Sequence, residues 1–499
     1  MSSNHAHGVS VSYSYDDLNR LSTVADANLT GSGTTSYTYD NASNVGSVKY
    51  PNGIATSFTY DLLNRVATAS SQVSSYQYQR DPTGNLKNVV ELGGRTVNWT
   101  YDGIYRLTNE SIANDPSQNG GNVAYTFDPV GNRSQEVSSI SGLSSGSWGY
   151  NADDEVSSES YDPNGNVTAT GGKSFTYDSE NHLMSMGSTV ALLYDGDGNR
   201  AAKTVNGVTT YYLVDDLNPT GYPQVVEELS GAGVVQRQYT YGLQRISENQ
   251  PLSGTWTLSF YGYDGGGSVR QLTNSAGTVT DTYEYDAFGN AWTVSGTTPN
   301  NYLYRGEQFD SDLGLYYLRA RYYNPSTGRF LSRDPEDGNE FDPKTLHKYL
   351  YAGGDPVNMI DPSGRAELFE SAIITGGSAV TATEAGLAII GGAASEAAAA
   401  AADAALAAME AASDFIEAVP EYLQAARDAL RASAALRLLT CAALGVGFAE
   451  LNLMATKWLS THTSKTAQEQ AKILLDRALW TFSGACMYWT AKPPIPPAQ

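Results

Sequence analysis

The residues best suited to chemistry in this chain are four Asp-Pro pairs, at Asp334, Asp342, Asp355 and Asp361, crowded into RDPEDGNEFDPKTLHKYLYAGGDPVNMIDPSGR. Two readings fit them. Proline fixes φ and aspartate bonds its own backbone, so each pair can simply start a turn. Two carboxylates close enough to share a proton can instead cleave a peptide, one activating water and the other protonating the departing group. Spacing alone leaves both readings open, because that chemistry needs two carboxylates paired in space. Directly after Arg365 the composition changes, from Tyr, Asn and Gly to long runs of Ala.

The elements that must position these aspartates lie upstream, in a repeat. Tyr-x-Tyr-Asp followed by a turn and Asn-Arg or Asn-Leu recurs as SYSYDDLNRL, SYTYDNASNV, SFTYDLLNRV, QYQRDPTGNL, NWTYDGIYRL, AYTFDPVGNR and SFTYDSENHL, and again as DTYEYDAFGNA. Asp16, Asp40, Asp61, Asp81 and Asp102 stand about 20 to 24 residues apart, the period of stacked repeats. Each unit predicts a hairpin: aromatic and Thr/Ser residues alternate along a strand, Asp opens the turn, and Asn or Gly accepts positive φ. One hairpin is marginal alone, so neighbours must stack, and residues 9 to about 330 predict one continuous twisted array. The units blur between about 205 and 260, although the strand pattern persists there. The repeat tyrosines are read as structural, with an aromatic glycan platform as the alternative.

Composition bounds the partners. The 499 residues carry a formal net charge of -23 and a pI near 4.5, which argues against nucleic-acid binding by the repeats. Tyrosine outnumbers phenylalanine 34 to 12, which suits half-wet β surfaces where a hydroxyl finds a partner. Five histidines (5, 7, 182, 347 and 462) form no metal constellation, and no cofactor motif appears. Cys441 and Cys486 lie outside the repeats and read as small buried hydrophobes. The first residues, MSSNHAHGVSVSYSYD, lack the basic and apolar regions of a signal peptide, and the chain reads as a short family member or part of a longer protein.

The tandem units, followed by YRGEQFDSDLGLYYLRARYYNPSTGRFLSRDP and YLYAGGDPVNMIDPSG, resemble the RHS/YD-repeat family over roughly residues 9–364. The resemblance implies a mainly β fold. Residues 1–300 would be a spiralling antiparallel hairpin ribbon forming a partial hollow shell. Residues 301–365 would be the repeat-associated core domain closing one end, and residues 366–499 a variable α-helical segment. It also implies a use in polymorphic toxin systems, where the shell encapsulates or presents a C-terminal effector as its cargo. An immunity protein and a secretion-system component are partners of that use, and the expected localisation is secreted or cell surface. The alternative is a cell-surface adhesion or carbohydrate-binding protein with the tail as a plug.

By matching motif, the family's paired aspartates fall on Asp334 and Asp361, Arg333 could hold the first carboxylate by charge pairing, and the cut would lie just after Gly364–Arg365. At most this is single-turnover autoproteolysis of aspartyl type. Asp342 and Asp355 are assigned to turns, and Glu336, Asp337 and Glu340 to a solvated loop. Two departures weigh against cleavage: the first box reads DPEDG, with an extra residue before its glycine, and Arg365 stands where an apolar residue is favoured.

The tail predicts helices rich in Ala, Leu and Glu, interrupted at Pro420 and ending in KPPIPPAQ. Ile473, Leu474, Leu479, Trp480 and Phe482 read as core. Residues 371–395, with Glu384 as their only charge, and 433–449, broken by Arg437, fall short of a clean membrane span. A soluble bundle is the reading, and a membrane-inserting effector is the alternative. His462 has no partner at motif spacing, so no enzymatic toxin is read there.

Overall fold

A computed structural model describes residues 2–4, 10–27, 33–338, 343–365 and 368–369. The chain divides into two compact units, Met1–Ile389 and Ile390–Gln499, and all described residues belong to the first. The helical tail, the two spans considered for membranes, His5, His7, His462, both cysteines, Glu340 and Asp342 lie outside the described residues.

What is described is antiparallel β almost throughout. Fourteen strands from Ser2–Asn4 to Gly146–Ser147 form one sheet, and fourteen from Ser160–Tyr161 to Ala291–Ser295 form a second. In each sheet every strand pairs with the next in sequence, so the ribbon is a pure meander. The expected single array is therefore two sheets. The break falls in WGYNADDEVSSE, where the unit turn survives but pairing shrinks to one bridge between Tyr150 and Val156. That stretch is poor in the β-branched residues that hold a strand pleated.

The unit works as the sequence suggested, with one device added. Asp16 Oδ1 accepts the backbone N–H groups of Leu18 (3.0 Å) and Arg20 (2.9 Å), while Arg20 Nε donates to Oδ2 at 2.8 Å. Asn19 turns the corner at φ 59°. The same set recurs at Asp61 with Arg65 and at Asp102 with Arg106. Each turn is entered through a β-bulge just before the tyrosine, as at Ser14/Tyr15 and Thr38/Tyr39. The tyrosine hydroxyl then reaches back to the preceding unit: Tyr39 donates to Leu21 O (2.7 Å), Tyr60 to Val45 O (2.8 Å) and Tyr101 to Leu86 O (2.7 Å). In the second sheet Tyr241, Tyr263 and Tyr285 do the same with Val225, Arg245 and Val269. Phenylalanine packs equally well but leaves that carbonyl without its donor, which explains the tyrosine excess.

The two sheets share a core. Leu21, Val45, Leu86 and Val123 of the first lie in one apolar cluster with Ile246, Phe260 and Phe288 of the second and Val357 of the terminal block. Beside it a cavity of about 90 Å³ is lined by charged groups, Glu110, Arg95, Arg270 and Asp286 among them.

These carboxylates make stability depend on pH in two opposed ways. Hydrogen bonding from Arg20 holds Asp16 below its ordinary value; at Asp61 and Asp102 burial pushes upward but the bonds from Arg65 and Arg106 win. Their stabilisation is present above the ordinary carboxylate range and is lost as pH falls through the lowered folded-state values. Burial instead pushes Glu110 up to about 8, and Glu136 and Glu248 up to about 7. A folded state that holds a proton this tightly loses stability as pH rises from the ordinary glutamate value through that range. Melting temperature measured by scanning calorimetry from pH 3 to 9 should therefore peak near pH ~5, falling on both sides. A flat profile from pH ~5 to ~8 would contradict the buried set.

Candidate functional site

The terminal block is a four-stranded meander, Gln308–Asp310, Leu315–Leu318, Arg321–Asn324 and Arg329–Phe330, followed by loops and the pair Met359–Ile360 with Leu368–Phe369. Polar bonds seat it on both ribbons. Toward the first, Arg329 Nη1 donates to Asn132 Oδ1 at 2.6 Å, His347 Nε2 lies 2.8 Å from the same oxygen, and Arg133 Nη2 donates to Ser326 O at 2.6 Å. Toward the second, Asp310 receives the Arg200 guanidinium and, at 2.6 Å, Lys203 Nζ. Asp310 and Arg200 are almost fully buried.

Asp334 follows the strand Arg329–Phe330, and Asp361 follows Met359–Ile360. The fold brings them together on one cation: Arg321 Nη2 lies 2.8 Å from Asp334 Oδ2 and 3.2 Å from Asp361 Oδ2. The same guanidinium donates through Nε to the carbonyl oxygen of Gly364. Its remaining face is backed by the Phe330 ring, 3.6 Å from the centroid, and Nη1 donates to Lys348 O at 3.3 Å. Asp361 Oδ1 accepts the Arg365 backbone N–H at 3.0 Å and the Ser363 hydroxyl at 3.1 Å. Both sides of the Gly364–Arg365 peptide are thus held, the carbonyl by Arg321 and the amide by Asp361.

Burial sets the electrostatics. It pushes the Asp334 carboxyl above its ordinary value against the pull of Arg321, and it lowers Arg321 against the pull of Asp361 and Asp334. Two carboxylates facing one guanidinium leave the group one negative charge in excess, so a proton is readily accepted there. The arrangement is competent for proton transfer at a peptide whose carbonyl is already polarised.

Arg333, assigned to the first carboxylate by sequence, points elsewhere. Its stem packs on Gly165 so closely that any side chain there would collide with it. The cation beside Asp334 is Arg321, from the Arg-Ala-Arg-Tyr-Tyr run. Asp355 organises its own turn, accepting Asn358 Nδ2 at 2.9 Å and Asn358 N at 3.2 Å, with burial pushing it up to about 6. Glu336 donates its backbone N–H to Asp334 Oδ1 at 2.9 Å, and its side chain lies 3.6 Å from Arg365 Nη1. The two departures noted in the sequence are therefore neighbours. Among the described residues no group of three or more Asp, Glu, His or Cys could hold a metal ion.

No family model matches the chain. It is 34% identical over 272 residues to the tRNA3(Ser)-specific nuclease WapA of Bacillus spizizenii, covering 51% of this chain and 11% of that protein. To the tRNA nuclease WapA of Bacillus subtilis it is 33% identical over 271 residues, with the same coverage. It is also 26% identical over 242 residues to the double-stranded DNA deaminase toxin A of Burkholderia cenocepacia, covering 41% of this chain and 17% of that protein. The chain thus spans 11% to 17% of the length of these curated relatives. Among solved structures, TcdB2-TccC3 matches with a TM-score of 0.60 at 20% identity, covering 73% of this chain and 21% of that one. The Photorhabdus luminescens Tc holotoxin pore gives 0.59 at 18%, covering 73% and 20%. At these identities the likeness is one of fold.

Proposed function

The chain belongs to the RHS/YD-repeat proteins of toxin type, and on that premise we propose that it presents residues 366–499 as the effector segment of a secreted or surface-borne toxin system and releases them by cutting its own chain just after Gly364–Arg365. The observation that carries this reading is the convergence of Asp334, Asp361 and the Gly364 carbonyl on Arg321. A turn needs only one carboxylate and its own backbone, as Asp355 shows. Here two carboxylates distant in sequence meet at the peptide where the composition changes.

The shared core of the two sheets favours presentation over enclosure by this array alone, since side chains fill the space where the sheets meet. The cavity of about 90 Å³ has room for a few waters and is too small for a peptide segment. Kinship with proteins named as tRNA nucleases and a DNA deaminase toxin supports the toxin role while leaving this tail's own activity to be assayed. An immunity protein is the partner such a tail requires.

The test is intact mass after denaturation of the purified full chain. The wild type should separate into two polypeptides meeting at Gly364–Arg365, whereas Asp361→Asn and Asp334→Asn should each run as one, with cleavage slowed at least 10²-fold as befits loss of an acid–base partner. Equal separation in wild type and both variants would end the assignment.

A further inference from the structure

We propose that Glu110 of the first ribbon and Asp286 of the second form a pH-operated clasp where the two ribbons meet. While Glu110 keeps its proton the junction stays closed; once both carboxylates are charged it opens and slackens the seat of the terminal block. The two residues are 3% and 2% exposed, and both line the chamber of about 90 Å³. Each is bonded mainly within its own ribbon. Glu110 Oε2 accepts Trp99 Nε1 at 2.8 Å, while Oε1 has no hydrogen-bond partner among the described residues. Asp286 Oδ1 accepts the backbone N–H groups of Phe288 and Asn290 at 3.0 and 2.9 Å, and Oδ2 accepts Asn290 Nδ2 at 2.7 Å. The nearby cations are engaged elsewhere: Arg95 Nη1 lies 2.6 Å from Glu91, and Arg133 lies 3.2 Å from Glu136 and donates to Ser326 O.

Asp286 is the unit's turn aspartate put to a different use. The side chains of Asp16, Asp61 and Asp102 are 23% to 29% exposed, and each pairs with the arginine four residues on. In DAFGN that position is Asn290, and the turn is packed between the first ribbon and the terminal block. Three phenols grip its backbone: Tyr304 donates to Ala287 O at 2.7 Å, Tyr323 to Phe288 O at 2.8 Å and Tyr316 to Gly289 O at 3.0 Å. Asn290 Nδ2 also donates to Pro325 O at 3.1 Å. On the other side Phe288 meets the Tyr125 ring of the first ribbon edge-on, with centroids 4.8 Å apart. A charge that shifts this turn therefore acts on ribbon and block together, whether or not the chain is cut.

The surroundings fix the direction. Three N–H donors favour the charged form of Asp286, whereas Glu110 has the one from Trp99, so Glu110 carries the proton. Burial first, and the Asp286 charge second, push Glu110 up to about 8, while Trp99, Arg95 and the Ala287 backbone pull the other way. Burial raises Asp286 as well, against its bonds from Asn290 and Phe288 and the charge of Arg133. Glu136 of the first ribbon also faces Asp286, and Arg133 answers it. The phenols of Tyr125, Tyr304, Tyr316 and Tyr323 lie in range of Asp286, and burial raises each, which keeps them neutral. The other charges on the chamber wall are matched, Glu91 and Asp264 with Arg270, and Arg305 with Gly266 O. Opening returns Glu110 to water and to its ordinary value, so it releases one proton. Such an opening gains about tenfold per pH unit between the ordinary and the raised value, and nothing further above it.

The experiment is hydrogen–deuterium exchange of the full chain from pH 6 to 9, read by mass spectrometry and scaled at each pH to the exchange of unstructured peptide. In the wild type, protection of the turn 286–290 and of the strand Leu315–Leu318 should fall about tenfold per pH unit up to pH ~8 and then level off. Glu110→Gln keeps an acceptor for Trp99 but cannot ionise, so it should lose that slope. As a second reading, the indole N–H resonance of Trp99, identified by its loss in Trp99→Phe, should titrate in the wild type with a midpoint of about 8 and stand still in Glu110→Gln. Level wild-type protection from pH 6 to 8, or a full slope kept in Glu110→Gln, would overturn the clasp. A slope in the turn that stops short of Leu315–Leu318 would overturn its hold on the block. If Glu110→Gln does not fold, the wild-type indole decides alone, and no movement between pH 6 and 9 overturns the proposal.

Discussion

Gly364→Ala is expected to abolish separation of the tail while leaving the ribbons folded. Gly364 sits at φ 69°, where an L side chain costs about 1–2 kcal/mol before any contact is counted. A methyl group there would also stand 2.3 Å from Leu318 O and 3.0 Å from Arg321 N. Both are backbone atoms, so neither can swing aside, and the turn must lift from the Arg319–Arg321 segment that it packs on. The first bond lost is the one between Arg321 and the Gly364 carbonyl. A displacement of roughly 1 Å at a reacting peptide costs on the order of 10²-fold in rate. The readout pairs intact mass with melting temperature: full-length chain and a near wild-type melt are expected. Normal cleavage in Gly364→Ala would mean that the cut does not use this seated conformation.

The largest stability effect should come from Asp310→Ala. Asp310 pairs with both Arg200 and Lys203 where the block meets the second ribbon, Lys203 reaching Asp312 as well at 3.2 Å, and Asp310 is 1% exposed. Burial alone would push it up, but those two cations hold it below its ordinary value. Removing it leaves a buried guanidinium without its anion, though still sandwiched by Tyr317 and Tyr212 at 4.5 and 4.8 Å. Breaking a buried pair from one side costs about 3–5 kcal/mol. Urea unfolding followed by tryptophan fluorescence should show a loss of that size, partly recovered by adding Arg200→Met. A loss under ~1 kcal/mol would show that the block is seated by its apolar contacts instead.

The repeats were legible because their logic is local. Asp16 bonds Leu18 and Arg20, contacts that five residues contain, and so the turn is written in the unit itself. The tyrosine's target was not legible, since the carbonyl of Leu21 lies in the unit before Tyr39 and carries no side-chain mark. At the site, Asp334 and Asp361 could be picked out by motif, but their meeting could not. The residue that joins them, Arg321, belongs to a run read only for its order, and Arg333 drew attention by adjacency alone. Adjacency along the chain does not fix where a side chain points, and Arg333 packs on Gly165 instead. Likewise DPEDG and Arg365 read as two separate faults. In space Glu336 and Arg365 face each other, although an exposed pair of this kind contributes little to stability.

The hydroxyl ladder has a consequence for the order in which the molecule can assemble. The tyrosine ties between units, from Tyr39 to Leu21 onward, join residues under 20 apart, so the ribbon can zip from any completed hairpin as chain becomes available. The terminal block is different. Its seat needs Asn132, 197 residues from Arg329, and Arg200, 110 residues from Asp310. Loop-closure entropy places such contacts late, after the meander has shortened the distance between them. A cutter lodged in that block therefore behaves as a timer, set by the last long-range contacts to form.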